Sequence, residues 1–245
     1  MKNTNKIHGI RAIIEAIEAN QPLNKVYLQK GLKGQLFKEL ENQIRKHKIS
    51  TSYVPIEKLN RLTHGNHQGA VAKISSIGFQ EFEPLMEQIL EKKENPLLLL
   101  LDQISDVRNF GAIIRTAECC GIDAIVVPKS GSAPLNDDAI KTSAGAAFNI
   151  PISKVDHLKD AMFYLKATGI KLIAATEKTN DSVFDIDFQK PCAIIMGSED
   201  RGINPSILKM VDSKAKLPLK GEIESLNVSV ACGVFLYEAV RQRGN

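Results

Sequence analysis

The stretch LPLKGEIESLNVSVACGVFLYEAVRQR, from Leu217 to Arg243, decides how the rest of the chain is read. A polar, glycine-containing loop (Gly221 to Ser225) breaks straight into a helix carrying Val228, Val230, Ala231, Val234, Phe235 and Ala239. Small residues, Ser229, Cys232 and Gly233, stand between them. A helix apolar around so much of its circumference is expected to bury nearly all of it. Ser225 or Asn227 is placed as its N-cap, where a short side-chain oxygen satisfies an orphan backbone N–H. A C-terminal core helix without any chemistry would show the same pattern.

Two further segments add to it. In LDQISDVRNFGAIIRTAECCGIDAIVVP, Leu101 to Pro128, the preceding run of five leucines from Leu97 reads as a strand buried on both faces. Asn109 is then expected to cap a helix whose stripe is Phe110, Ile113, Ile114 and Ala117, with Gly121 ending it. Arg115 lies two residues past Ile113, about 200° round the helix, and so points away from the stripe. In CAIIMGSEDRGINP, Cys192 to Pro205, a short apolar strand enters a loop from Gly197 to Gly202. A helix follows, with Asn204 as cap and Pro205 at its first position. Taken singly, these are an ordinary solvated arginine and a plain strand-to-helix turn with an exposed Glu199.

In this order the three segments resemble the SpoU (TrmH-like) family of RNA ribose 2′-O-methyltransferases. The pattern N-x-G-x-x-x-R stands at Asn109, Gly111 and Arg115. The pattern G-x-E-x-x-G stands at Gly197, Glu199 and Gly202, and S-L-N-V-S-V-A runs from Ser225 to Ala231. One departure is Asp200, where many members have glycine directly after the loop glutamate. The resemblance implies an α/β fold in two parts: a small N-terminal L7Ae-like RNA-binding domain and a C-terminal trefoil-knotted methyltransferase domain of SPOUT type.

The same resemblance implies S-adenosylmethionine as cofactor and a ribose, expected to be a guanosine of 23S ribosomal RNA, as methyl acceptor. Leu217 and Leu226 would sandwich the adenine, with Leu219 in the same loop and backbone amides near Gly197 bonding the ring edge. Gly202 closes that loop, and Thr176, at the end of a strand, lines the cleft. Arg115 carries the catalytic charge, either as the family's proton acceptor or by gripping an RNA phosphate and stabilising an alkoxide. Glu199 would orient Arg115 or the Gly197 loop. Asn109 and Asn227 would position the ribose, and Ser225 the loop. Alternatives are a tRNA ribose methyltransferase of the same family, or an RNA-binding protein without catalysis. A homodimer through the catalytic domain is expected.

Composition narrows the classes. The 245 residues, 43% hydrophobic and 24% charged, suit a globular chain of one or two domains. No apolar run approaches the roughly 18 residues of a membrane helix, and the polar N-terminus lacks a signal-peptide core. Cys119, Cys120, Cys192 and Cys232 form no C-x-x-C pair and read as buried, reduced thiols of a cytoplasmic protein. His64 and His67 have ligand-like spacing, but nothing completes a set, so no metal is expected. No G-x-G-x-x-G follows a strand, which argues against a dinucleotide or ordinary methyltransferase pocket.

Charge is uneven. Residues 1–75 hold 13 Lys+Arg against 5 Asp+Glu, a balance of +8, whereas the rest hold 19 against 23, a balance of −4. A basic module joined to a mildly acidic one points to a polyanion at the first. Residues 1–75 read as a small α/β unit, with strands at Lys25–Leu28, Ser52–Val54 and Ala70–Ile74, and the resemblance implies that it is the substrate-binding domain. The loop from His64 to Gly69 is a candidate RNA contact or a simple turn. Residues 76–96 read as a linker with one helix near Leu85 to Leu90. The methyltransferase domain, 97–245, is expected to carry strands at Leu97–Leu101, Ala124–Val127, Lys171–Ala175, Ala193–Met196 and Lys214–Leu217 in a mostly parallel sheet.

Overall fold

The computed structural model describes residues 6–19, 21–74, 78–223 and 225–244. Contacts divide the chain between Gly78 and Phe79. The boundary expected after residue 75 falls on 75–77, outside the described residues.

The first unit runs β1 (Lys6–His8), α1 (Ile10–Glu18), β2 (Leu23–Gln29), α2 (Gln35–Lys46), β3 (Thr51–Val54), α3 (Ile56–Leu62) and β4 (Ala70–Ile74). Its sheet has the order β1-β4-β2-β3, with β2 and β3 parallel and both β4 pairings antiparallel. Helical spacing explains the packing. Ile10, Ile13, Ile14 and Ile17 form one stripe of α1, and Phe37, Leu40 and Ile44 one stripe of α2. Both stripes bury against Val26, Leu28, Ala70 and Ala72, which share a sheet face because strand side chains alternate. Val54, Leu59 and Val71, with Tyr27 and Leu62, make a smaller cluster with α3.

The second unit opens with α4 (Phe82–Lys92), in the stretch expected as a linker. From Phe79 onward that stretch is part of this unit. Leu85 and Met86 are buried in the same cluster as Leu98, Leu100, Val126 and Ile195, because α4 presents an apolar stripe that the sheet covers. The order continues β5 (Leu97–Asp102), α5 (Val107–Cys119), β6 (Ala124–Pro128), α6 (Asp137–Thr142), β7 (Ile152–Val155), α7 (Leu158–Ala167), β8 (Lys171–Ala175), β9 (Cys192–Gly197), α8 (Pro205–Leu208), β10 (Ser213–Ala215) and α9 (Val228–Gln242). Every pairing in the six-stranded sheet β10-β8-β9-β5-β6-β7 is parallel. The chain builds β6 and β7 on one side of β5 and β8 to β10 on the other. The carboxyl ends of β5 and β9 therefore lie at a topological switch point, where open parallel sheets place their ligand crevice.

Several expectations need correction. Strands β1 and β7 were not foreseen, and β10 stops at Ala215, leaving Leu217 beyond it. Asp106, not Asn109, caps α5: its carboxylate accepts from Asn109 N at 2.8 Å, so the helix starts earlier. Helix α9 buries Val228, Cys232, Phe235, Leu236, Glu238 and Ala239, but leaves Val230, Val234 and Tyr237 exposed within the single chain. Cys192 and Cys232 are buried, whereas Cys119 is exposed and Cys120 half-buried, since both end α5 away from its core stripe. Burial, with Cys119 beside it, pushes the Cys120 thiol up to about 11. Among the described residues no helix is long and apolar enough to cross a membrane.

Candidate active site

Two glycines permit close approaches near the carboxyl ends of β5 and β9. Gly111, in the first turns of α5, faces α6 so closely that a Cβ there would lie 2.6 Å from Thr142 Cβ and 2.8 Å from Ala139 O. Gly197 ends β9, and a Cβ on it would stand 2.2 Å from the carbonyl carbon of Gly202. The loop between them doubles back at once, since Ser198 N donates to Gly202 O at 3.2 Å and Gly202 N to Ser198 O at 2.9 Å. Glu199 stands at the tip of this tight turn.

The tip meets the start of α9. Asn227 caps that helix, its Oδ1 accepting from Ser229 N at 2.9 Å and Val230 N at 3.4 Å, with the Ser229 hydroxyl donating to the same oxygen. Its Nδ2 donates to Glu199 Oε1 at 2.6 Å and to Asn109 Oδ1 at 3.0 Å. Glu199 Oε1 also receives Val228 N at 3.4 Å, which sets a negative charge at a helix N-terminus, where the peptide dipoles favour it. One amide thus ties together residues 118 and 28 positions away in sequence. Both its donors and its acceptor oxygen are used.

The other sequence-derived residues distribute as follows. Arg115 is exposed on α5, and no hydrogen bond or ion pair joins it to another described residue. Of the two roles expected for Glu199, orienting Arg115 or the Gly197 loop, no hydrogen bond or ion pair to Arg115 is made; the carboxylate is taken by Asn227 and the α9 backbone. Ser225 is exposed and outside the hydrogen-bonded set. Thr176 follows β8, 8% exposed, with its hydroxyl accepting from Lys178 N at 3.2 Å. Leu217 is half-buried, while Leu219 and Leu226 are 40% and 43% exposed.

Two residues escaped the sequence reading. Ile223, 79% exposed, adds to the apolar surface of the Leu219–Leu226 loop; an isoleucine in an otherwise polar loop was the available signal. Asp102 is the last residue of β5 and 4% exposed, and its carboxylate accepts from Asn204 N at 2.7 Å. A charged residue closing a fully buried leucine strand was its signal. Burial raises its pKa above the usual carboxylate value, and the Asn204 hydrogen bond acts in the opposite direction.

The arrangement thus joins a hydrogen-bonded polar trio from three segments, exposed apolar side chains at Leu219, Ile223 and Leu226, and an Arg115 guanidinium that no described group engages. Comparison with known proteins gives the family. Residues 96–237 match the model of the SpoU rRNA Methylase family, and residues 6–79 match that for RNA 2′-O ribose methyltransferase substrate binding. YacO of Bacillus subtilis, named as a TrmH family tRNA/rRNA methyltransferase, is 34% identical over 96% of this chain and 94% of its own length. The 23S rRNA (guanosine-2′-O-)-methyltransferase RlmB of Vibrio parahaemolyticus is 34% identical over 97% and 95%. Among solved structures, the SpoU methyltransferase AviRb of Streptomyces viridochromogenes is 26% identical with a TM-score of 0.61, covering 97% of this chain and 89% of its own. Its complex with AdoMet matches with the same TM-score at 24% identity, covering 97% of this chain and 90% of its own.

Proposed function

The chain belongs to the SpoU family of rRNA methylases, and from that premise we propose that it moves a methyl group from S-adenosylmethionine to a guanosine ribose in 23S ribosomal RNA. The observation that carries the chemistry is the Asn109–Asn227–Glu199 set, gathered at the switch point from three separate segments. Leu219, Ile223 and Leu226, which are exposed, would offer apolar surface to an adenine, together with Leu217 and Thr176. Gly197 and Gly202 shape the turn whose amides would meet the ring edge.

When bound, S-adenosylmethionine supplies a methyl carbon whose bond to sulfur breaks, leaving a neutral thioether, as the new bond to the ribose oxygen forms. The protein has to hold the 2′-hydroxyl in line and accommodate the charge that develops on its oxygen as its proton passes to solvent water. Arg115 is the group for that charge. With a pKa above about 12 it is a poor base, but it can grip a phosphate in bidentate fashion and stabilise a developing alkoxide. Asn109 holds the ribose edge with the amide N–H groups it has left, Asn227 fixes Asn109 in place, and Glu199 keeps Asn227 turned. Ser225 begins the segment that leads into this cap.

The ribosomal target is supported by the RlmB relative and by the first unit, which carries the +8 balance and matches the substrate-binding model. A tRNA ribose is the second reading, since the name of the YacO relative covers tRNA and rRNA alike. The same reading includes a knotted C-terminal segment, a cytoplasmic setting and a homodimer. In the dimer, a second copy covers the groove of about 440 Å³ lined by Phe184, Val230, Val234 and Tyr237.

Arg115→Ala tests the mechanism. Single-turnover methyl transfer is expected to fall at least a hundredfold, with cofactor affinity nearly unchanged. A rate within tenfold of wild type removes Arg115 from the chemistry.

A further inference from the structure

We propose that Asp102 is a positioning residue: its buried carboxylate fastens the base of the Gly197–Gly202 turn and so sets Glu199 against Asn227. The proposal rests on the reading that this turn serves the cofactor and the reacting ribose.

The position is an unfavourable one for a charge. All six residues of β5 are buried, and Asp102 follows five leucines. No ion pair compensates it among the described residues, and its one hydrogen bond comes from Asn204 N at 2.7 Å. An unpaired buried carboxylate is destabilising relative to an apolar residue of similar size. A strand end that keeps one keeps it for what it holds.

What it holds is the far end of the turn. The near end is fixed by β9, whose Gly197 stands in register with Asp102 across the β5–β9 ladder. The turn then closes on itself between Ser198 and Gly202. Three residues after Glu199 the chain leaves Gly202, and two residues later Asn204 N is caught by Asp102. Asn204 is itself committed to α8, its side chain accepting from Ser206 N at 2.9 Å. Glu199 therefore sits between two anchored points, and both anchors are on the last residue pair of the central strands. Its Oε1 lies 2.6 Å from Asn227 Nδ2, a distance that a shift of the turn by an ångström would lengthen beyond a strong hydrogen bond.

The test compares Asp102→Ala with Asp102→Asn in the full-length protein. Asparagine keeps an acceptor for Asn204 N without the charge; alanine removes it. For the alanine variant the account expects S-adenosylmethionine affinity to fall at least tenfold and single-turnover rate at least tenfold at saturating cofactor. Backbone amides of 198–204 should exchange faster while those of β6 and α7 stay protected. Asparagine should restore affinity and rate to within about threefold of wild type. Affinity and rate for Asp102→Ala within twofold of wild type overturn the proposal, as does uniform loss of protection across the unit. If the alanine variant does not fold, Asp102→Asn decides alone: a tenfold loss with unchanged melting would show that the charge acts, not the hydrogen bond, and overturn it. Amide exchange is read without cofactor or RNA, so a failure of the wider functional reading leaves this outcome distinct.

Discussion

Asn227→Asp exchanges one atom and inverts one contact. The Nδ2 that donates to Glu199 at 2.6 Å and Asn109 at 3.0 Å becomes an oxygen facing two acceptors, one of them charged. The cap itself survives, because aspartate accepts from the amides of Ser229 and Val230 as well as asparagine does. Losing the two bonds removes about 1 kcal/mol for the neutral partner and about 2 for the charged one. Like charges about 3 Å apart repel by a further ~1 kcal/mol even at a water-like dielectric. Both side chains are exposed, so the strain is relieved by Glu199 swinging into solvent rather than by unfolding. Asn227→Ala removes the same donor but also the cap, at about 1 kcal/mol, which lowers the melting temperature by roughly 2–4 °C. The aspartate variant is thus expected to melt closer to wild type than the alanine variant, yet to lose at least a hundredfold in single-turnover methyl transfer. Thermal melts and labelled-cofactor assays on both variants decide it. An aspartate variant within threefold of wild-type rate refutes the reasoning that this amide organises the site.

Gly197→Ala places a methyl group 2.2 Å from Gly202 C, against backbone that has nowhere to go. Overpacking of this kind costs about 1–3 kcal/mol, and calorimetry should show cofactor affinity falling at least tenfold; binding at wild-type strength would contradict the geometry. Glu238, buried on α9, is held below its usual 4.5 mainly by hydrogen bonds from Arg241 at 2.9 and 2.7 Å. A depressed folded-state pKa gives stability that is present above pH 4.5 and lost as pH falls through the lower folded value. Glu238→Gln should therefore flatten the acid limb of a melting-temperature profile below that pH, and an unaltered limb would show that the pair contributes nothing.

The parts of the fold visible in the chain are those with long, uninterrupted signals. The leucine run of β5 and the 3–4 spacing of Phe110, Ile113, Ile114 and Ala117 gave strand and helix without ambiguity. Strands β1 and β7 carried no such signal, because Lys6–His8 and Ile152–Val155 are short edge strands with polar residues among the apolar ones. The α5 cap was placed one turn late, since Asp106 and Asn109 are both good caps and only tertiary contact shows that Asn109 is turned toward Asn227. The apolar composition of α9 was legible, whereas which of its residues the single chain buries was not. Of the candidate residues, Asn109, Glu199 and Asn227 come together in the structure, and that contact was not legible in the chain. Glu199 and Asn227 were both named, yet nothing in the chain indicated that Glu199 would be engaged by Asn227 rather than by Arg115.

The central claim is methyl transfer to a ribose of RNA, and one measurement reaches it directly. The purified protein, with S-adenosylmethionine labelled in its methyl group, is incubated with unmodified 23S ribosomal RNA and separately with total tRNA. Each RNA is then digested to nucleosides. The account predicts label in a single 2′-O-methylated nucleoside from the 23S sample, as 2′-O-methylguanosine. Label confined to tRNA would move the target and leave the chemistry; label on a base, or none in either RNA, would contradict the account.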